Sequence, residues 1–389
     1  MKQLSKIMLA AVASVAIAAP ALAWDFSASG SSSAKWMSRT TNTGEEGAVD
    51  VSPTAFSSSA GGITLSSSNS DGANSATFSY TNDYNSDSDA LNYDEYVSIS
   101  GSKKVGNWTA SSSTTQYMQK DSTAGTPMTS NGSAVITLTD GSITYKLGDA
   151  AHLSTAEKTV NGPMDGQVDA EARVDAFDGF SVGLGVGPGT LTVALDMNTD
   201  GDLFGDRSVA IACGGGTTGY GLNFAGDVGA DLSFTFGTGS TAPSAAGCLG
   251  DNASNAASAT TMGLGVAIPM GDISIALDYE STSWNNTVGT TETKNALSGF
   301  EISVTMGGIA DGTAGINISS NATSATVGTA DAATGSASGT ELWWTVPIGP
   351  VSLAVGYGSD SYTTGAGTAA SPTVTALDTQ MGAEMSMSF

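Results

Sequence analysis

The chain alternates. At its C-terminal end Met381, Ala383, Met385, Met387 and Phe389 are apolar, and Gln380, Gly382, Glu384, Ser386 and Ser388 between them are polar or small. Successive side chains of a strand point to opposite faces, so this spacing predicts a strand with one apolar and one polar face. The same period recurs upstream. Val351, Leu353, Val355 and Tyr357 pair with Leu342, Trp344, Val346 and Ile348 across Gly349-Pro350. Phe300 to Met306 returns through Ala314 to Ile318 after Gly307-Gly308, and Met262 to Ile268 returns through Ile273 to Tyr279 after Met270-Gly271-Asp272. Tyr220 to Phe224 leads through Gly226-Asp227 to Ala230–Phe236, and Phe180 to Val186 leads through Gly187-Pro188-Gly189 to Leu191–Met197. Ala134 to Leu138 meets Ile143 to Leu147 at Asp140-Gly141, a dipeptide that signals a hairpin between alternating runs.

Eleven strands follow from Phe180 onward, and seven candidates precede them at 24–32, 60–68, 73–81, 95–102, 106–116, 133–139 and 142–148. The connections alternate too. Each hairpin closes in a short turn, whereas 198–216, 238–260, 281–297, 320–339 and 358–378 read as long loops rich in Ser, Thr, Gly, Asp and Asn. Short turns on one side and long loops on the other are the layout of a transmembrane barrel. Strands of about 8–11 residues approach the ~9–11 needed to cross a bilayer at a tilt. The expected fold is all-β, a transmembrane antiparallel β-barrel of about 16–18 strands. Tyr and Trp near strand ends, among them Tyr96, Trp108, Tyr145, Tyr279 and Trp344, suit a membrane–water interface.

Composition separates this reading from disorder. Charged residues are 13% of the chain and 50 of its 389 residues are Gly, with a mean hydropathy of +0.02. A sheet with lipid on one face and water on the other needs such dilution, because half its strand positions are polar or small. The 12 basic residues against 37 acidic ones leave no basic face for nucleic acid. Residues 1–23 read as a signal peptide, with Lys2 and Lys6 before an apolar run at Ile7–Ala19 and a small-x-small site at Ala21-Leu22-Ala23. The barrel domain would then be 24–389, and loss of two lysines would take the net charge from −25 to −27.

The alternation also nominates residues for the inner, water-filled face: Lys146, Asp196, Asp231, Asp278, Glu301, Glu341 and Glu384. A mostly acidic lining favours cations. Cys213 and Cys248, the only two cysteines, fall in neighbouring long loops on one side, and an exported chain permits a disulfide between them. Asp200, Asp202 and Asp206 offer alternating acidic oxygens for Ca²⁺ but do not complete an EF-hand, and a solvated acidic loop is the plainer reading. A divalent ion there would bridge to lipopolysaccharide phosphates. His152 is the only histidine, and no nucleophile motif accompanies it.

Three local features resemble the general Gram-negative outer-membrane porins: the alternating last strand ending in Phe389, the aromatic start Trp24-Asp25-Phe26 after the signal peptide, and Asp140-Gly-Ser-Ile-Thr-Tyr-Lys-Leu-Gly148. The last resembles the strand that rises into the porin constriction loop. The resemblance implies that residues 149–178 fold inward, carrying His152, Glu157, Lys158, Asp165, Asp169, Glu171, Arg173 and Asp175 to the constriction. It implies that Phe389 is read by the barrel assembly machinery, and that the chain forms a homotrimer in the outer membrane. The sequence departs from the family in its shortage of arginines to face the acidic loop. The expected function is passive diffusion of small hydrophilic solutes and ions, with cations preferred and no enzyme chemistry. The alternatives are a structural surface protein or adhesin, and an enzyme barrel of protease or phospholipase type.

Overall fold

The computed structural model describes residues 24–42, 49–87, 90–119, 132–154, 156–162, 177–197, 217–241, 255–288, 291–328, 333–365 and 374–389. Its strands are β1 (Asp25–Asn42), β2 (Val49–Ser70), β3 (Asn74–Asp87), β4 (Ala90–Val105), β5 (Trp108–Gln119), β6 (Gly132–Thr139), β7 (Ile143–Ala150), β8 (Phe177–Val186) and β9 (Gly189–Asp196). They continue with β10 (Thr217–Asp227), β11 (Asp231–Thr241), β12 (Asn255–Met270), β13 (Ile273–Val288), β14 (Thr291–Ile309), β15 (Gly312–Val327), β16 (Ala333–Ile348), β17 (Val351–Gly365) and β18 (Val374–Ser388). Each pairs with its neighbours in the chain, and β1 pairs with both β2 and β18. The fold is a closed antiparallel β-barrel of 18 strands. Closure satisfies every edge, the condition for a sheet in hydrocarbon. The described residues include no helix.

By contact the chain divides into two units. The first holds the described residues up to Ser32, Ala60–Asp140 and Ser388–Phe389. Its strands β3 to β6 expose Ile99, Ile136 and Leu138 on one face. The opposite face carries hydroxyls in rows: Ser75, Ser102, Ser111 and Thr137 stand side by side on four successive strands. Ser75 and Ser102 share a hydrogen bond of 2.8 Å, as do Ser98 and Thr115. The β2–β3 turn is held by Asp71, whose carboxylate accepts from Ala73 N, Asn74 N and Asn74 Nδ2. The Asn74 amide, with those backbone donors, holds the Asp71 carboxyl below its ordinary range. Phe389 exchanges two backbone hydrogen bonds with Gly30, at 2.7 and 2.9 Å, and its ring lies where a Gly30 Cβ would be.

The second unit, Ser33–Ser59 and Gly141–Met387, is inverted relative to a soluble protein. Its buried side chains include Asp196, Asp278, Glu301, Asn317 and Glu341, while Val193, Leu342, Met381 and Met385 are about half exposed. An apolar face left open is what a lipid-facing wall presents.

Two expectations need correction. The segments 238–260, 281–297, 320–339 and 358–378 are not wholly loops, because β11 and β12 enter the first from either end and β13 to β18 run through much of the others. Their Ser/Thr/Asn composition hid them: hydroxyl and amide pairs on a strand give no apolar beat to read. The turn between β14 and β15 is Ala310-Asp311, both at positive φ, rather than Gly307-Gly308. Gly308, also at positive φ, instead allows a bulge where the register shifts between Gly307 and Ile309. Likewise Gly226-Asp227 belongs to β10, and the chain reverses at 228–230 with Gly229 at φ 95.

Candidate functional site

After β7 the chain leaves the sheet and lies across the polar face of the second unit, called the inner face below. Lys146 Nζ donates to Ala151 O at 3.0 Å as the segment departs. His152 is buried and uses both ring nitrogens. Nε2 lies 2.7 Å from Gly148 O and so carries the proton, which leaves Nδ1 to accept from Ser181 Oγ at 2.9 Å. Burial, the largest influence, pushes the His152 imidazole below its ordinary pKa.

From there the segment meets one strand after another. Leu153, 2% exposed, fills the space above Gly221 of β10. Ser154 O accepts from Thr235 Oγ1 of β11. Ala156 O rests where Gly265 of β12 would carry a Cβ. Asp278 of β13 accepts from Lys158 N at 2.8 Å to each oxygen, and from Thr159 N and Thr159 Oγ1 at 2.6 Å. Val160 N donates to Ser303 Oγ of β14 at 3.1 Å. Asn317 Nδ2 of β15 donates to Asn161 Oδ1 and to the Glu301 carboxylate. Gly162 N donates to Glu341 Oε2 of β16 at 2.7 Å.

The spacing explains the regularity. Residues 153 to 162 make nine steps from β10 to β16, which are six strand spacings apart. Nine extended residues span about 30 Å, and six spacings of about 4.8 Å come to about 29 Å. The segment is therefore an extended strip laid crosswise, with each stretch of backbone over a new strand. The glycines of the wall are its seats. Side chains at positions 221 and 265 would occupy the strip's own volume, and one at 162 would strike Glu341 and Trp343. Below the strip's end lies a cavity of about 860 Å³, bordered by Val160, Gly162, Thr313, Trp343 and Ser352.

The nominated residues separate into groups. Asp278 and Glu341 hold the strip directly, Glu301 holds it through Asn317, and Asp196 is fully buried on β9. Asp231 is half exposed and forms an ion pair with Lys158 Nζ at 2.9 Å. Glu384 is half-buried on β18, opposite Ala354, and Glu157 is exposed. Asp165, Asp169, Glu171, Arg173 and Asp175 lie outside the described residues, as do Cys213, Cys248, Asp200, Asp202, Asp206 and the signal segment. Sequence reasoning missed the wall seats Gly221 and Gly265, the close fit of the strip's Gly162 against Glu341 and Trp343, the inward Trp343, and the pair of Arg39 with Asp378, whose Nε–Oδ2 distance is 2.6 Å. Trp343 was readable, since it falls one position from the outward Leu342 and Trp344.

No protein-family model matches the chain, and no curated protein matches it. Solved structures do. The outer membrane channel DcaP of Acinetobacter baumannii superposes with a TM-score of 0.52 at 12% identity, covering 94% of this chain and 97% of that one. OccK9 (OpdG) of Pseudomonas aeruginosa gives 0.49 at 11% identity over 93% and 98%, and an anion-selective porin from Comamonas acidovorans gives 0.46 at 8% over 94% and 100%. At these identities the likeness concerns architecture, and it spans nearly the whole of both chains in the Acinetobacter case. The chain has the barrel fold of the outer-membrane porins and channels.

Proposed function

We propose that this protein is an outer-membrane porin: a water-filled channel through which small hydrophilic solutes and ions diffuse passively, with cations preferred. The observation that carries the reading is the inversion of the wall together with the strip upon it. Carboxylates are buried on the inner face, large apolar side chains are open on the other, and the strip is bonded to the inner face through Thr159 and Gly162. Passage would need no bond to be made or broken. Selection would come from the width left by the strip and from the sign of the lining charge. His152 serves docking in this reading: its nitrogens are taken by a backbone carbonyl and by Ser181, itself buried.

The exported location, the homotrimer, assembly through Phe389, a loop disulfide at Cys213 and Cys248, and Ca²⁺ at Asp200, Asp202 and Asp206 belong to the same proposal. Planar-bilayer recording tests it. Purified protein is expected to give discrete conductance steps, and a salt gradient a reversal potential of cation-selective sign. Absence of steps from folded protein would overturn the channel, and an anion-selective potential would overturn the preference.

A further inference from the structure

The polar face of the first unit is open where that of the second is closed over. Between its row of Ser75 to Thr137 and its row of Ser98 and Thr115, Thr77, Ser100, Ser113 and Val135 stand side by side on β3 to β6. These three rows hold eleven hydroxyls, one valine and no ionisable group. A cavity of about 270 Å³ opens there, bordered by Ser100, Ser111, Ser113, Val135 and Thr137. All five side chains are half-buried and so stay in reach of solvent, unlike the fully buried Asp278 and Glu341.

The hydroxyls around this cavity are unequally answered. Ser75 bonds Ser102, and Ser98 bonds Thr115. Ser100 and Ser113 stand opposite each other in the row between, and Ser111 borders the same space. Among the described residues these three have no such side-chain partner. A hydroxyl donates once and accepts twice, so three of them around one space offer both roles to a guest. An ion would give up hydration there and meet no countercharge. A guest that is itself a mesh of hydroxyls matches donors with acceptors and needs no countercharge. Two rows further along the same strands Tyr96 faces Tyr117, with ring centroids 5.3 Å apart. By alternation with Ser98 and Thr115 both rings stand on the hydroxyl face, so Tyr96 does not belong to a lipid-facing girdle. Aromatic rings offer an apolar surface for the C–H face of a sugar. Four residues separate Tyr96 from Ser100, about 13 Å along the strand.

We infer that this cavity is a binding station for an uncharged polyhydroxylated solute, a sugar or a polyol, and that the tyrosine pair extends it for a chain of sugars. The inference deepens the channel reading by naming a solute class, and it rests on that reading for the solute's route to this face. Binding itself can be measured without a bilayer.

The experiment is saturation-transfer NMR on full-length protein folded in a detergent without a sugar head group. D-glucose and the neutral trisaccharide raffinose are the two probes. Ser100→Ala combined with Ser113→Ala removes two open hydroxyls, and Tyr117→Ser removes one ring of the pair. Wild type is expected to give saturable signals with both probes. The double variant should bind both about tenfold more weakly, the size of two lost hydrogen bonds, while keeping heat-modifiable gel migration. Either serine change alone should cost about threefold, which keeps the test open if the double variant does not fold. Tyr117→Ser should weaken raffinose and leave glucose unchanged. Wild type without saturable signals would overturn the station, and so would folded serine variants that bind like wild type. Raffinose binding untouched by Tyr117→Ser would overturn the extension. Planar-bilayer recording on the same samples separates the two ideas: glucose binding without conductance sinks the channel, and conductance without saturable glucose binding sinks the station.

Discussion

The polar faces of the two units obey one alternation and solve different problems. In the first unit Ser75, Ser102, Ser111 and Thr137 line up across β3 to β6, with Ser79, Ser98 and Thr115 in a parallel row. In the second, Asp278 stands opposite Glu301, and Asn317 opposite Glu341. A hydroxyl both donates and accepts, so neighbouring hydroxyls can satisfy one another, as Ser75 and Ser102 do. An ionised carboxylate only accepts. Two side by side cannot answer each other, and a wall of them needs donors from elsewhere. The strip supplies these as backbone N–H groups of Lys158, Thr159 and Gly162. Loop docking thus supplies the donors that the wall carboxylates Asp278 and Glu341 need.

The strongest way to break this contrast is Asp278→Ala. It strands the amides of Lys158 and Thr159 and the Thr159 hydroxyl, each at about 1–3 kcal/mol while buried. The strip escapes that cost by detaching. Single-channel conductance should rise clearly and protease should cut between residues 151 and 162 of the folded barrel, with Gly265→Val giving the same result by filling a seat. An unchanged conductance in both variants would show that the strip does not narrow the path.

A smaller effect concerns pH. Free imidazole titrates near 6.5, and burial holds docked His152 lower. Between those values the undocked strip binds more protons than the docked one, so docking weakens as pH falls through that window and is insensitive to His152 above it. Protease protection of the strip, followed from pH 8 to 5, should decline below about 6.5 in wild type, and His152→Gln should remove that component. A decline of equal size in the variant would assign it to the wall carboxylates.

The smallest effect is expected in the first unit. Ser102→Ala deletes one hydroxyl of a half-buried, mutually bonded pair, for a loss of about 0.5–1.5 kcal/mol. The midpoint of urea unfolding should move slightly and conductance should not. A large conductance change would mean that the hydroxyl face is as consequential as the acidic one.

Much of the fold was legible. Alternation found all seven strands before Phe177, because apolar and small polar residues trade places even in the weakest of them. It failed where both faces are polar, as in 281–288 and 320–327, since two wet faces leave no contrast between odd and even positions. For the site, alternation gave the side on which Asp278 and Glu341 stand but not what they hold. Asp278 and Lys158 are 120 positions apart, and no local pattern encodes such a meeting. The glycine seats were hidden because a glycine that makes room for a loop and one that dilutes a strand look alike in one sequence. Arg39 and Asp378, 339 positions apart, meet only because the first and last strands do.

The match between nine residue steps and six strand spacings makes the strip a vernier. Its graduations meet those of the wall at Leu153 over β10, Ala156 over β12 and Gly162 over β16. Substitutions damage one mark, whereas deleting a single residue between Ala156 and Gly162 displaces every later mark by most of a strand width. The amide meant for Glu341 would then face Asn317. In this segment length is the inherited quantity, and insertions or deletions are the errors it tolerates least.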